Sequence, residues 1–364
     1  MIRKSQLDER FSKEIWLSLK RAKCYSLHTE IAMILVTGAY GFIGVYLVDE
    51  LLRQGHQVLA TGHRDAAARY FEQRATRYVN LDIACEEDYQ KLPQQGIDAA
   101  IHLAGLLPAN VEACPPQDYV RINVLGTLNL LEYCRKHEVR KVLSTTTYAD
   151  ILNAWSVDPP TPSESPRDFR LTGDHAMYAI SKNAATDSIL HYDAEFGVQG
   201  SIFRLPPVYG YGPHLTIFVD GKPHKSGFQI FMEKAEAGQP IEIWGEPSAV
   251  RDVVYVKDVV QAFVKALQSD AAHGVYNIAS GIGITLQQQA QAMVDVRSPR
   301  GRRSEIILRS DKATTMKPYV LDIRRAQRDF GYQPQYSFRE MIEDYGKEEL
   351  AGTYTEFIRS RKGI

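Results

Sequence analysis

The chain is poor in the residues that would tie it to a disulfide framework, a membrane or a polyanionic partner. Four cysteines occur among 364 residues, Cys24, Cys85, Cys114 and Cys134. They are scattered and form no C-x-x-C pair, which argues against a disulfide scaffold or zinc site and fits buried thiols in a reducing compartment. No apolar run approaches the ~20 residues of a membrane-spanning helix. The formal net charge is −1, so no basic excess recommends nucleic acid or an anionic membrane as partner. The basic N-terminal start lacks the continuous apolar core of a secretory signal. These absences leave a cytoplasmic globular protein as the expectation.

What is present is ordinary in bulk and specific in detail. A hydrophobic content of 44% and a charged content of 24% are those of a globular chain. Its length suits one large or two modest domains. Residues 1–32 differ from the rest, with Arg3, Lys4, Arg10, Lys13, Lys20, Arg21 and Lys23 around Ile15, Trp16 and Leu19. They read as a poorly ordered extension, the functional chain beginning at Met33. Activity is then expected to survive their deletion.

The organising stretch is Met33-Ile-Leu-Val-Thr-Gly-Ala-Tyr-Gly-Phe-Ile-Gly44. Ile34 to Val36 predicts a buried strand, and the apolar period through Val45, Leu47, Val48, Leu51 and Leu52 predicts a helix. Between them Gly38, Gly41 and Gly44 punctuate a tight turn. Free N–H groups at such a helix start suit a pyrophosphate, and glycine lets it approach. The spacing is G-x-x-G-x-x-G rather than G-x-G-x-x-G, and glycine-rich turns also arise for geometric reasons.

A second strand follows across Gly55 to Arg64. Where a dinucleotide fold places an acid against the adenosine ribose, this chain has Gly62, then His63 and Arg64. Loss of the carboxylate and gain of two potential cations favours NADP over NAD, unless Arg64 is only a solvated charge. Leu81-Asp82-Ile83 ends a third strand, and Asp82 could meet adenine or cap the next helix. A strand over Asp98 to Leu103 runs into Ala104-Gly105, small residues able to pass close to a flat cofactor. The helix holding Tyr119, Ile122, Leu125 and Leu128 carries Asn123 within its apolar pattern, as a structural bridge to backbone or a proton-relay anchor, with the structural role favoured.

The fifth strand, Val139 to Tyr148, exits through four hydroxyls, Ser144 to Thr147, at the edge where open α/β sheets bind ligands. Pro159 to Pro166 reads as an irregular loop bordering a site. Met177-Tyr178-x-x-x-Lys182 then opens a helix with Tyr178 and Lys182 on one face. An ammonium beside a phenol stabilises phenolate and makes tyrosine a usable acid or base. The alternation of strands and helices predicts an α/β fold, a Rossmann-type doubly wound parallel sheet.

In this order the motifs resemble the extended short-chain dehydrogenase/reductases, in particular the NAD(P)-dependent epimerase/dehydratase branch. The likeness runs from Met33 to about Tyr345. It rests on Thr37-Gly-Ala-Tyr-Gly-Phe-Ile-Gly44, His102-Leu-Ala-Gly105, Tyr178-x-x-x-Lys182, Arg251-Asp-Val-Val-Tyr-Val-Lys-Asp258, Val275-Tyr-Asn-Ile-Ala-Ser-Gly281 and Leu321-Asp-Ile-Arg-Arg-Ala326.

The resemblance implies an NAD(P)-dependent nucleotide-sugar epimerase acting through transient oxidation to a keto-sugar. A reductase of a keto-sugar or other carbonyl is the alternative, and a non-catalytic dinucleotide sensor stands behind both. Gly38, Tyr40, Gly41, Phe42, Ile43, Gly44, His63, Arg64, Asp82, Ile83, Leu103, Ala104, Gly105, Tyr178 and Lys182 would hold the cofactor. Tyr178 would be the acid/base, and Lys182 would hold the nicotinamide ribose and lower the phenol's pKa. A hydroxyl from Thr146 would complete the set, with Ser144 and Thr145 as alternatives and substrate contacts.

Arg251 would meet the substrate diphosphate, unless it pairs with Asp252 or Asp258. The chain departs from the family where Thr147-Tyr148 follows Thr146 in place of an Asp-Glu pair, which counts against dehydration. Pro207 stands where relatives often carry a substrate-contacting Asn. The stretch from His214 to Gly227 reads as a loop near the substrate entrance. Residues 33–205 would form the nucleotide-binding domain with 253–275 returning to it, and 206–252 with 276–350 the substrate-binding region. A homodimer through the helices containing Asn123 and Lys182 is a further implication, with no metal, nucleic acid or membrane expected.

Overall fold

The computed structural model describes residues 33–112, 114–173, 175–213, 216–219, 222–312 and 317–362. The expectation for residues 1–32 lies outside them. The sheet is built from β1 (Met33–Thr37), β2 (Gln57–Gly62), β3 (Arg77–Asn80), β4 (Ala99–His102), β5 (Lys141–Thr147), β6 (Gln199–Leu205) and β7 (Gly274–Asn277). Their order is β7-β6-β5-β4-β1-β2-β3, and all neighbours pair in parallel. Strand order reverses between β1 and β4. Ligands bind open parallel sheets at the carboxyl ends beside such a switch point.

Local sequence explains the layers. A strand buried on both faces needs a continuous apolar run, and Ile34, Leu35 and Val36 are fully buried. Helix α1 (Phe42–Arg53) turns Val45, Tyr46, Leu47, Val48 and Leu51 inward. Leu35, Leu59, Ala100, Val142 and Ile202, one from each of five adjacent strands, share a core cluster with Leu130, Leu131, Ile189 and Tyr192. Truncating one such leucine typically costs about 2–5 kcal/mol.

The remaining helices that position the site are α2 (Ala66–Glu72), α3 (Gly126–Lys136), α4 (Ala176–Phe196), α5 (Val256–Leu267) and α6 (Thr355–Lys362). A π-helical segment, Val120–Leu125, leads into α3 and carries Asn123. Helix α5 packs on α1 and β5, while α6 returns to α2. The third strand ends at Asn80, before Leu81-Asp82-Ile83. The stretch after residue 213 is more regular than expected. Thr216–Val219 and Lys222–Lys225 form an antiparallel hairpin, and Ser226 caps a helix over Gly227–Glu236. No described helix is long and apolar enough to cross a membrane.

Candidate active site

The turn after β1 is formed by close backbone contacts. Gly38 has φ +67, and a Cβ there would sit 2.5 Å from Ala104 N and 2.7 Å from the Leu103 carbonyl carbon. A Cβ on Gly44 would fall 2.5 Å from the carbonyl oxygens of Gly38 and Ala39. Glycine is therefore required at both positions. Gly41 is the N-cap of α1, with no side-chain cap and no acid in the first turn. The first N–H groups of α1 thus face a position suited to an anion. Tyr40 packs its ring 5.1 Å from those of Tyr70 and Phe357. Phe42 leans on Gly212, whose Cβ would meet its ring at 2.6 Å, and Ile43 follows half-buried in the first turn of α1.

At the end of β2, Tyr78 covers Gly62, 3.3 Å from where a Cβ would stand. Its hydroxyl accepts from Arg64 N at 3.3 Å and donates to Arg64 O at 3.0 Å, pinning the loop that carries His63 and Arg64. Asp82 accepts from Ala84 N at 2.9 Å and lies 3.6 Å from Arg121, so it closes a turn and its carboxylate is half exposed. The side chain of Ile83 belongs to the core, and its carbonyl accepts from Asn129.

A string of bonds leads from β1 to the Tyr-x-x-x-Lys helix. Thr37 Oγ1 lies 2.7 Å from His102 Nδ1, and His102 Nε2 lies 3.1 Å from Thr127 Oγ1. Thr127 donates its one hydroxyl proton to the Asn123 carbonyl at 2.6 Å. It can therefore only accept from Nε2–H, which leaves Nδ1 to accept from Thr37. Burial first, and the Lys182 charge second, push the His102 imidazole down to about 3, so the ring is neutral. Asn123 accepts from Leu106 N at 2.7 Å and donates to Leu106 O at 3.1 Å and Ser181 Oγ at 2.9 Å. Ser181 donates to the Tyr178 carbonyl at 2.9 Å. The buried amide is a bridge to backbone, and it fixes the loop after Leu103-Ala104-Gly105 against α4.

At the exit of β5 the four hydroxyls separate by role. Ser144 and Thr146 share one face of the strand, with Thr145 and Thr147 on the other. Ser144 Oγ donates to His102 O at 3.1 Å, and Thr147 Oγ1 caps the next turn by accepting from Ala149 N. Ser144's proton is thus held by main chain, which argues against its expected part as a substrate donor. Thr146 is 3% exposed, and its Oγ1 has no protein partner. An orphaned buried hydroxyl costs about 1–3 kcal/mol.

Lys182 is buried, and burial pushes its ammonium down to about 8. Burial raises the Tyr178 phenol well above the ordinary tyrosine range, and Tyr119, Asp150 and Tyr148 raise it further. The depressed phenol expected from the lysine is therefore not found in the protein by itself, because desolvation dominates and every group acting on the phenol raises it.

Beyond the exit of β5 stands a cluster of aromatic rings. Tyr148 stacks on Trp155 with ring centroids 5.0 Å apart, and Tyr319 lies 4.4 Å from Trp155. Arg251 stands beside Tyr148 and Tyr209, with Nε buried and unpartnered. Its expected acidic competitors are engaged elsewhere. Asp252 accepts from Ser280 and from Gly281 N and Leu321 N, while Asp258 accepts from Gln335 N. The sequence reading missed the aromatic wall, whose only local signal is an aromatic pair seven residues apart.

It also missed a buried knot. Arg204 grips Asp150 with two bonds of 2.8 and 2.9 Å and donates to Ser163 O and Asn277 Oδ1.

The model of the NAD dependent epimerase/dehydratase family matches residues 34–279, more than half the chain. The chain belongs to that family. A curated relative, the UDP-glucose 4-epimerase of Mycolicibacterium smegmatis, is 28% identical over 317 residues, covering 85% of this chain and 95% of its own. Among solved structures, the UDP-glucose 4-epimerase of Thermotoga maritima with UDP-glucose superposes with a TM-score of 0.70 at 25% identity. That match covers 87% of this chain and 99% of the other. The Thermus thermophilus UDP-glucose 4-epimerase in complex with NAD gives a TM-score of 0.66 at 25% identity, covering 86% and 99%. A nicotinamide dinucleotide is thus the cofactor class of this family member. The glycine turn that a Cβ would fill and the orphaned Thr146 hydroxyl at the same sheet edge fit such a group.

Proposed function

We propose that the protein is a nucleotide-sugar epimerase of the 4-epimerase kind. When bound, the nicotinamide would supply a hydride acceptor and donor. Tyr178 takes the proton from a sugar hydroxyl as the carbinol is oxidised to a ketone, and returns it when the other face is reduced. The orphaned Thr146 hydroxyl, the observation that carries the reading, donates to the same sugar oxygen. Lys182 would hold the ribose of the dinucleotide and supply positive charge that favours the phenolate. Arg251, whose Nε has no protein partner, takes the diphosphate, and the aromatic wall receives the sugar.

Val120 and Leu125 on the π segment and Ile180 and Phe196 on α4 are all more than a third exposed. They support pairing of two copies through these helices. The experiment is to incubate the enzyme with UDP-, GDP- and dTDP-hexoses and look for new isomers. Tyr178→Phe should lower turnover by about 10²–10⁴-fold while dinucleotide binding persists. Unchanged turnover would remove Tyr178 from the chemistry. Stoichiometric consumption of NADPH without isomerisation would favour the reductase.

A further inference from the structure

The last helix brings a cation back to the end of β2. Phe357 in α6 packs its ring 5.1 Å from Tyr40 of the glycine turn and 6.3 Å from Tyr70 of α2. Arg361 lies four residues on, one helical turn further along the same face. Helix α2 begins at Ala66, directly after the loop that carries His63 and Arg64. The same packing therefore sets Arg361 beside that loop. The charges bear this out: Arg64 acts on the Arg361 guanidinium, and both act on the His63 imidazole.

Three features make this more than a crowded surface. Burial first, then Arg64, push Arg361 down to about 10, so the cluster is electrostatically unfavourable as it stands. Neither guanidinium has an ion-pair or hydrogen-bond partner for its side chain among the described residues, and Arg64 is held through its backbone alone. Most other arginines of the fold have one, such as Arg53, Arg74, Arg297 and Arg309. Finally, the position where an acid would take a ribose 2′-hydroxyl is Gly62 under the Tyr78 ring, and Tyr78 also pins the Arg64 backbone. An anion at this point would relieve the mutual repulsion and use two forks of donors suited to phosphate oxygens.

We propose that His63, Arg64 and Arg361 form a clamp for the 2′-phosphate of NADP(H), completed by the C-terminal helix. The inference rests on the dinucleotide site and is independent of which sugar the enzyme transforms. A plain structural role is the competing account, since arginine in a last turn also complements the helix dipole.

The test measures binding by calorimetry on the full chain, with 2′,5′-ADP against 5′-AMP and NADP⁺ against NAD⁺. The phosphorylated member of each pair should bind at least about tenfold more tightly, with a steeper loss in salt. Arg361→Ala should weaken it by roughly tenfold to a hundredfold while leaving 5′-AMP and NAD⁺ unchanged. Equal affinities in the parent chain, or an Arg361→Ala loss shared equally by both members of a pair, would overturn the clamp. Should Arg361→Ala fail to fold, Arg64→Ala on the exposed loop must reduce the same selectivity, and an unchanged ratio there refutes the proposal. Isomerisation of sugars is scored separately, so failure of one reading leaves the other standing.

Discussion

The string from Thr37 through His102, Thr127 and Asn123 to Ser181 and the group at Thr146, Lys182 and Arg251 border the same edge of the sheet. They differ in how their polar atoms are satisfied. In the first, each buried hydroxyl, ring nitrogen and amide has a protein partner. In the second, Thr146 Oγ1 and Arg251 Nε have none, and both side-chain atoms of neighbouring Asn183 are also unpartnered. A satisfied network stabilises and orients, whereas an unsatisfied one is a cost that bound ligand can offset. The first region is scaffold, and the second is where occupancy should matter.

Substitutions can break or sharpen that contrast. Gly38→Val attacks the backbone seat beneath both regions. It should cost on the order of 3 kcal/mol and abolish dinucleotide binding, measured by denaturant titration and calorimetry. Asn123→Leu strands the Leu106 amide and should lower stability by about 2–3 kcal/mol. The loss of turnover should follow from the displaced loop, and residual enzyme should keep its KM if the string is scaffold alone.

Lys182→Met should go the other way. Burial lowers Lys182 from 10.5 to about 8, so between those values the unfolded chain binds more protons and stability rises with pH. Below about 8 the full cost of the buried charge is carried. The methionine variant should therefore be more stable at pH 7, by up to about 3 kcal/mol, while losing turnover. Its advantage should shrink as pH is raised from 8 toward 10.5, as followed by thermal melts. Thr146→Val should have the smallest effect on stability, from unchanged to a gain of about 1 kcal/mol, because it removes a buried hydroxyl that has no protein partner. Turnover should nevertheless fall by about 10²-fold. A large loss of stability on Thr146→Val would place that residue with the scaffold.

Much of the fold was legible because it depends on local pattern. The apolar run at Ile34 to Val36, the glycine triplet and the i, i+4 pair Tyr178 and Lys182 mark their elements without reference to distant residues. Among the four hydroxyls of β5 the sequence could not choose, since strand alternation and the His102 carbonyl, not spacing, separate Ser144 from Thr146. The depressed Tyr178 phenol was misjudged for a similar reason: proximity to a lysine is visible in sequence, but desolvation by an entire crevice is not. Arg361 and the Trp155–Tyr319 contact join residues far apart in the chain, so no local signal could announce them. The regular hairpin after residue 213 was hidden by its lysines and glycine, which read as loop.

The Arg204 knot bears on how this enzyme can be dissected. One guanidinium holds together the exit of β5, the end of β6, the Ser163 loop and the seventh strand, contributed some seventy residues later through Asn277. A fragment stopping near residue 205 would keep the glycine turn but expose the β6 edge and leave that guanidinium short of an acceptor. The nucleotide-binding half is not a portable module, and swapping substrate regions between relatives would require carrying β7 and its asparagine along.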